Sequence, residues 1–98
     1  MEYYLKAADK GNEYALYNIG TLYENWYGIK QDYSKAMEYY LKSADKGNSS
    51  ALFNLGNLYS KGNGVKQDYS KALEYYMKSA DKGHDGALTN IGFYYGIL

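Results

Sequence analysis

Residues 30–48 read KQDYSKAMEYYLKSADKGN, and residues 66–84 read KQDYSKALEYYMKSADKGH. The two stretches are 36 residues apart and differ at three positions. The likeness extends beyond them. Residues 1–36 and 37–72 match at 25 of 36 positions, and a third copy runs 26 positions from Leu73 to Leu98. Self-similarity at such a period marks an array of stacked supersecondary units, each burying the same face against the same neighbour. Residues 1–98 are therefore read as a single repeat array, with copies at 1–36, 37–72 and a truncated 73–98, about 2.7 units in all.

Each unit reads as two helices. Over 33–46 the apolar residues are Tyr33, Ala36, Met37, Tyr40, Leu41 and Ala44, the i, i+3, i+4, i+7 spacing of an amphipathic helix. Asp32 and Asp68 are placed to cap the N-termini of this outer helix in two copies. Gly47 and Gly83 follow its C-terminus, where a left-handed residue is wanted. Glu38–Lys42 and Glu74–Lys78 are i,i+4 pairs in the favoured order, worth ~0.3 kcal/mol each. The inner helix is expected at 49–61, with counterparts at 13–25 and 85–97, for six helices in all. Gly62-Asn63-Gly64 supplies positive-φ positions for the turn that follows. Gly20, Gly56 and Gly92 sit inside the inner helix of every copy, where glycine costs about 1 kcal/mol relative to alanine. Their recurrence points to a packing reason: something approaches too closely for a Cβ.

Composition narrows the function. Eleven basic and eleven acidic residues leave the chain formally neutral, which argues against nucleic acid or an anionic membrane as partner. There is no cysteine, hence no disulfide framework and no thiol chemistry. No apolar run approaches the ~18 residues of a membrane span, and Met1-Glu2-Tyr3-Tyr4 does not open a signal peptide. The absence of a signal peptide and of cysteine favours the cytoplasm. His84 is the only histidine; it replaces Asn12 and Asn48 in a turn and reads as a surface residue, not a base or ligand. Gly62-Asn63-Gly64 lacks the GxxxxGK[ST] of a phosphate loop. Asp9-Lys10, Asp45-Lys46 and Asp81-Lys82 recur once per unit, as capping and solvation residues would, whereas acid–base catalysis needs one unsymmetrical site. No catalytic residue, metal site or cofactor is expected. Tyr3-Tyr4, Tyr39-Tyr40 and Tyr75-Tyr76 read as core plus interface between units.

The chain resembles the Sel-1-like repeat family, relatives of the tetratricopeptide repeats. The resemblance rests on Ala51, Leu55-Gly56, Tyr59, Gly62-x-Gly64-Val65, Asp68, Lys71-Ala72, Tyr75-Tyr76, Ala80 and Gly83. The family pattern is A-x-x-x-L-G-x-x-Y-x-x-G-x-G-V followed by D-x-x-K-A-x-x-W-Y-x-x-A-A-x-x-G. Tyr39 and Tyr75 stand where the family often has Trp, Trp26 replaces a turn glycine in the first copy, and the paired cysteines of some members are absent. The resemblance implies an all-α, right-handed superhelical solenoid of antiparallel helix pairs. It also implies a scaffold for protein–protein contacts, not an enzyme. A hydrolase, as credited to a few relatives, and a purely architectural spacer are the alternatives.

Comparing the copies with each other divides the inner helix into two arcs. Ala15, Leu16, Asn18, Ile19, Gly20 and Tyr23 barely change from copy to copy and should pack. The changing positions form one stripe at roughly 100° per residue: Tyr14, Tyr17, Thr21 and Glu24; then Ser50, Phe53, Asn57 and Ser60; then Gly86, Thr89, Phe93 and Gly96. This stripe is expected to face out of the stack and, by the resemblance, to line the concave surface. Exposed drift would give the same variability, but it usually yields Lys, Glu and Ser. The stripe carries four aromatics and no Lys or Arg, which suits an apolar peptide or helix of a protein partner. Asn18, Asn54 and Asn90 could grip a peptide backbone or bond to main chain between units. Trp26 could anchor a partner, cover the first unit or extend its helix. Tyr3, Tyr4 and Leu5 at one end, and Ile91, Tyr94, Tyr95, Ile97 and Leu98 at the other, would then be complementary surfaces, and head-to-tail self-association of the 98-residue chain is expected.

Overall fold

The computed structural model describes residues 11–25 and 32–95, the side chains of 93–95 excepted. Among them are five α-helices and no strand: α1 (Glu13–Asn25), α2 (Tyr33–Asp45), α3 (Ser49–Lys61), α4 (Tyr69–Asp81) and α5 (Asp85–Tyr95). The sixth helix expected from the repeat falls in residues 1–10, outside the described residues, as does Trp26. Each helix packs on the next in sequence, giving an elongated stack of 43 × 25 × 17 Å. Odd-numbered helices are the inner members of the pairs and even-numbered helices the outer ones.

The helix boundaries follow from local chemistry. Asp32 and Asp68 are extended, and their carboxylates accept from the N–H of Lys35 and Lys71, both at 3.0 Å. Each satisfies one of the donors that a helix start leaves without a partner. At the other end, Gly47 (φ 88°) and Gly83 (φ 90°) are left-handed. Gly47 N–H donates to Ala44 O at 2.8 Å and Asn48 N–H to Ser43 O at 3.3 Å, with the same pair of bonds at Gly83 and His84. This is the double closure of a Schellman motif, which only a residue free of Cβ strain adopts cheaply. The outer helix thus ends at Asp45, one residue before the expected Lys46.

Three ties bind each outer helix antiparallel to its inner partner. Near the start of the outer helix, Asp32 N–H donates to Tyr23 O at 2.9 Å, and Asp68 N–H to Tyr59 O at 3.0 Å. In the middle, Tyr40 and Tyr76, 0 and 1% exposed, lie against Gly20 and Gly56. Toward the end, the buried Ser43 and Ser79 hydroxyls donate to Glu13 O and Ser49 O, both at 2.7 Å. Tyr40 also belongs to one core cluster with Ala36 of its own helix and Ala51, Leu55 and Leu58 of α3. The same ring therefore fixes its own unit and docks the next.

The packing reason for the inner-helix glycines is this ring. A Cβ added at Gly56 would lie 2.5 Å from Tyr76 Cε1 and 2.7 Å from Cδ1; at Gly20 it would lie 2.6 Å from both atoms of Tyr40. Buried rings in a close-packed interior have nowhere to go. Gly92 is the third copy's equivalent and is buried in α5. Gly56→Ala should therefore lower stability despite its better helix propensity, and Gly56→Leu should lower it further, by about 1–3 kcal/mol. Thermal or urea melts check this; a rise in both variants would remove the packing explanation.

Candidate partner-binding face

The stripe predicted on the inner helices does not behave as one surface. Tyr14 is 65% exposed. Tyr17 is half-buried, its ring 5.9 Å from that of Tyr40 at an interplanar angle of 36°. Thr21 Oγ1 donates to Asn18 O at 2.7 Å. Glu24 Oε1 accepts from the Tyr40 hydroxyl at 2.7 Å. In the next copy Phe53 is half-buried, 5.6 Å from Tyr76 and stacked on His84 at 4.4 Å. Asn57 Oδ1 accepts from the Tyr76 hydroxyl at 2.6 Å. Ser60 is buried, its Oγ 3.4 Å from that hydroxyl. The side chain of Phe93 and all of Gly96 lie outside the described residues.

The expectation that the whole stripe faces out of the stack is thus corrected. Ser60 points inward, Glu24 and Asn57 hold the outer-helix tyrosine, and Tyr17 and Phe53 lean on it. The physical reason is reach. A tyrosine sliding past a glycine carries its hydroxyl across the inner helix to the far side, where residues stepped off at 100° would be solvent-facing. Variation between copies there is partly compensatory. Where the first copy has Thr21 and Glu24, the carboxylate takes the hydroxyl; where the second has Asn57 and Ser60, the amide oxygen does.

Asn54 plays a related part. Its Nδ2 donates to the Tyr40 hydroxyl at 3.2 Å, so it links units through a side chain rather than through the main chain. Sequence reasoning had no signal for a bond to a residue 14 positions upstream. It also missed the role of His84. Asn12 and Asn48 cap α1 and α3 by accepting from Ala15 N–H at 3.0 Å and Ala51 N–H at 2.9 Å. His84 caps α5 the same way, with Nδ1 accepting from Ala87 N–H at 3.2 Å. The replacement of Asn by His at one repeat position was the available clue.

The outer side carries a second repeated pattern. Tyr23 stacks on Tyr39 (5.9 Å, 10°) and Tyr59 on Tyr75 (5.7 Å, 12°). Lys42 and Lys78 lie over the second ring of each pair at 5.2 and 5.5 Å, within cation–π range. Tyr39 and Tyr75 thus fill the family's Trp position as stacked rings between paired helices. Between α2 and α4 runs a groove of about 340 Å³ lined by Leu41, Ala44, Leu52 and Tyr75, with Asp45, Asp81, Lys78 and Lys82 at its edge. Among the described residues no group of three His, Cys, Asp or Glu is assembled for a metal ion, and no helix is long and apolar enough to cross a membrane.

A Sel1 repeat model matches residues 1–12, 13–48 and 49–84. The chain belongs to the Sel1 repeat family. The Sel1 unit begins at an inner helix and ends after an outer one; it has the 36-residue period read from the sequence, cut twelve residues later than copies counted from Met1. Solved Sel1-type structures superpose closely. A Sel1 repeat protein from Oxalobacter formigenes gives a TM-score of 0.91 at 35% identity, over 96% of this chain and 38% of that one. The c5321 protective antigen of uropathogenic Escherichia coli strains, which displays an SLR fold, gives 0.90 at 33% identity, over 95% and 20%. Helicobacter pylori cysteine rich protein B gives 0.83 at 26% identity, over 90% and 66%. The chain therefore spans about two fifths and one fifth of the length of the first two structures. No curated protein matches it significantly. Sel1 repeat arrays are generally non-catalytic scaffolds for protein–protein contacts, and this chain has that fold.

Two outcomes follow from the bonds around the tyrosine and the cap. Burial, and then the bond to Glu24, raise the pKa of the Tyr40 hydroxyl above its ordinary 10.0. The folded state keeps a proton that the unfolded chain gives up, so this contribution is complete below pH 10 and is lost as pH rises beyond it. Tyr40→Phe should cost about 1–2 kcal/mol at neutral pH and flatten the alkaline fall in melting temperature. A variant with the wild-type alkaline slope would show that the hydroxyl is not held. Separately, His84→Ala should lower stability by about 1 kcal/mol, and His84→Asn should not; equal melts for the two variants would remove the capping role.

Proposed function

We propose that this chain is a segment of a protein-binding scaffold, and that a partner's peptide or helix lies across the inner helices α1 and α3. The observation that carries this is Tyr14. It is a large aromatic, 65% exposed, on the inner helix, one turn from Tyr17 and on the same face. Tyr17 and Phe53 are half-buried with their rings fixed by Tyr40, Tyr76 and His84. Aromatics held rigid this way lose little freedom on contact, which is what makes Tyr a frequent anchor at interfaces. The stripe has no Lys or Arg, so an apolar segment suits it better than a phosphorylated or acidic one. The engagement of Glu24, Asn57 and Ser60 with the outer-helix tyrosines supports an architectural reading for those three positions. They are assigned to the scaffold, and Tyr14, Tyr17 and Phe53 to the partner.

Selection of binding peptides from a displayed library, followed by calorimetry on the selected sequence, tests the assignment. Tyr14→Ala should weaken the peptide about tenfold or more, a loss above 1 kcal/mol, with the melting temperature unchanged. Phe53→Ala should weaken the peptide and also lower the melt. Undiminished affinity in Tyr14→Ala would move the site off the inner face.

A further inference from the structure

A Glu-Tyr pair occurs on both outer helices and once on an inner one. On α2, Glu38-Tyr39 is followed by Lys42, whose ammonium pairs with Glu38 at 3.6 Å and lies over the Tyr39 ring at 5.2 Å. On α4, Glu74-Tyr75 is followed by Lys78, which pairs with Glu74 at 3.5 Å and lies over Tyr75 at 5.5 Å. In each case one carboxylate and one ring hold one cation, supplied from position i+4 of the same helix.

On α1 the pair is Glu13-Tyr14, and position i+4 is Tyr17 instead of a lysine. Among the described residues neither Glu13, Tyr14 nor Tyr17 has a lysine paired with it or over its ring; those lysines all belong to α2 and α4 and serve neighbours elsewhere. The helix itself has no basic residue, α3 has only Lys61 at its last position, and α5 has none. Tyr14 is exposed, and Glu13 and Tyr17 are half-buried beside it, with Tyr17 one turn from both. The inner face thus presents the cation-holding pair of the outer helices with its cation left out. The later copies have Ser49-Ser50 and Asp85-Gly86 at these positions, so only the first unit has both groups.

We propose that the segment bound on the inner face carries a lysine or arginine, whose cation sits on Tyr14 with Glu13 as counter-ion. Tyr17 lies where the stem of that side chain would rest. The basic residue is thereby placed at α1 and the apolar residues of the segment toward Phe53 of α3. This inference rests on the peptide-binding reading above and adds the charge of the partner to it. A purely local role for Glu13, an acid in the first turn facing the helix dipole, would affect the melt and not the affinity.

Peptide selection from a random displayed library, on the wild-type chain and on Glu13→Gln, tests it. Wild-type selections should be enriched in Lys or Arg over the starting library, and Glu13→Gln selections should not. In calorimetry Glu13→Gln should weaken the wild-type peptide about threefold to fivefold, and exchanging the peptide's basic residue for Gln should then cost nothing further. Added salt should weaken the wild-type complex more than the variant. Glu38→Gln, which removes the same charge from an outer helix, should leave the affinity unchanged. Selected peptides without basic residues, or undiminished affinity in Glu13→Gln while Tyr14→Ala still weakens binding, would overturn the cation pairing and leave the inner-face site standing. A silent Tyr14→Ala, or a selection that yields no binder, would overturn both.

Discussion

A tyrosine ring lying on a glycine holds this molecule together. Tyr40 on Gly20 and Tyr76 on Gly56 bring outer and inner helices closer than any residue with a Cβ would allow. The ring also reaches the following unit: Tyr40 shares its cluster with Ala51, Leu55 and Leu58, and its hydroxyl takes a bond from Asn54. One side chain therefore sets both the spacing within a pair and the step to the next pair. A phenylalanine would supply the same apolar area without satisfying Asn54 or Glu24, and partly buried polar groups left without partners are costly.

The hydroxyl explains why the copies differ where they do. It must be satisfied on the far side of the inner helix, and more than one residue type can do this. Glu24 meets it in one copy, and Asn57 with Ser60 in the other. Each solution leaves a different chemistry on the neighbouring surface, with Tyr17 beside one and Phe53 beside the other. A repeat array can thus alter its binding surface unit by unit while the packing beneath stays the same. That separation suits a family of protein-binding scaffolds, in which nearest-neighbour contacts carry the stability.

The same nearest-neighbour logic explains the contrast between Leu52 and Leu88. Leu52 is 7% and Leu88 57% exposed at equivalent positions of two inner helices, because burial in a solenoid is supplied by the adjoining helix rather than by the chain as a whole. The exposed Glu38–Lys42 and Glu74–Lys78 pairs on the outer helices, at 3.6 and 3.5 Å, add little of their own, since exposed ion pairs are worth at most ~1 kcal/mol.

The 36-residue period, the two helices per unit, the Asp caps, the left-handed glycines and the need for close approach at Gly20 and Gly56 were all legible in the sequence. Each is a local or periodic property, set by i, i+3, i+4 spacing or by one residue's backbone preference. Which face of the inner helix is free was not legible. Stepping 100° per residue gives a direction relative to the helix's own axis, but not the length of a neighbour's side chain. Only the tertiary structure showed that Tyr40 and Tyr76 pass the helix and claim Glu24, Asn57 and Ser60, leaving Tyr14 exposed. It likewise decided that His84 caps a helix and that Leu88 stands open, because a hydrogen-bond partner and a covering neighbour are properties of the assembled stack.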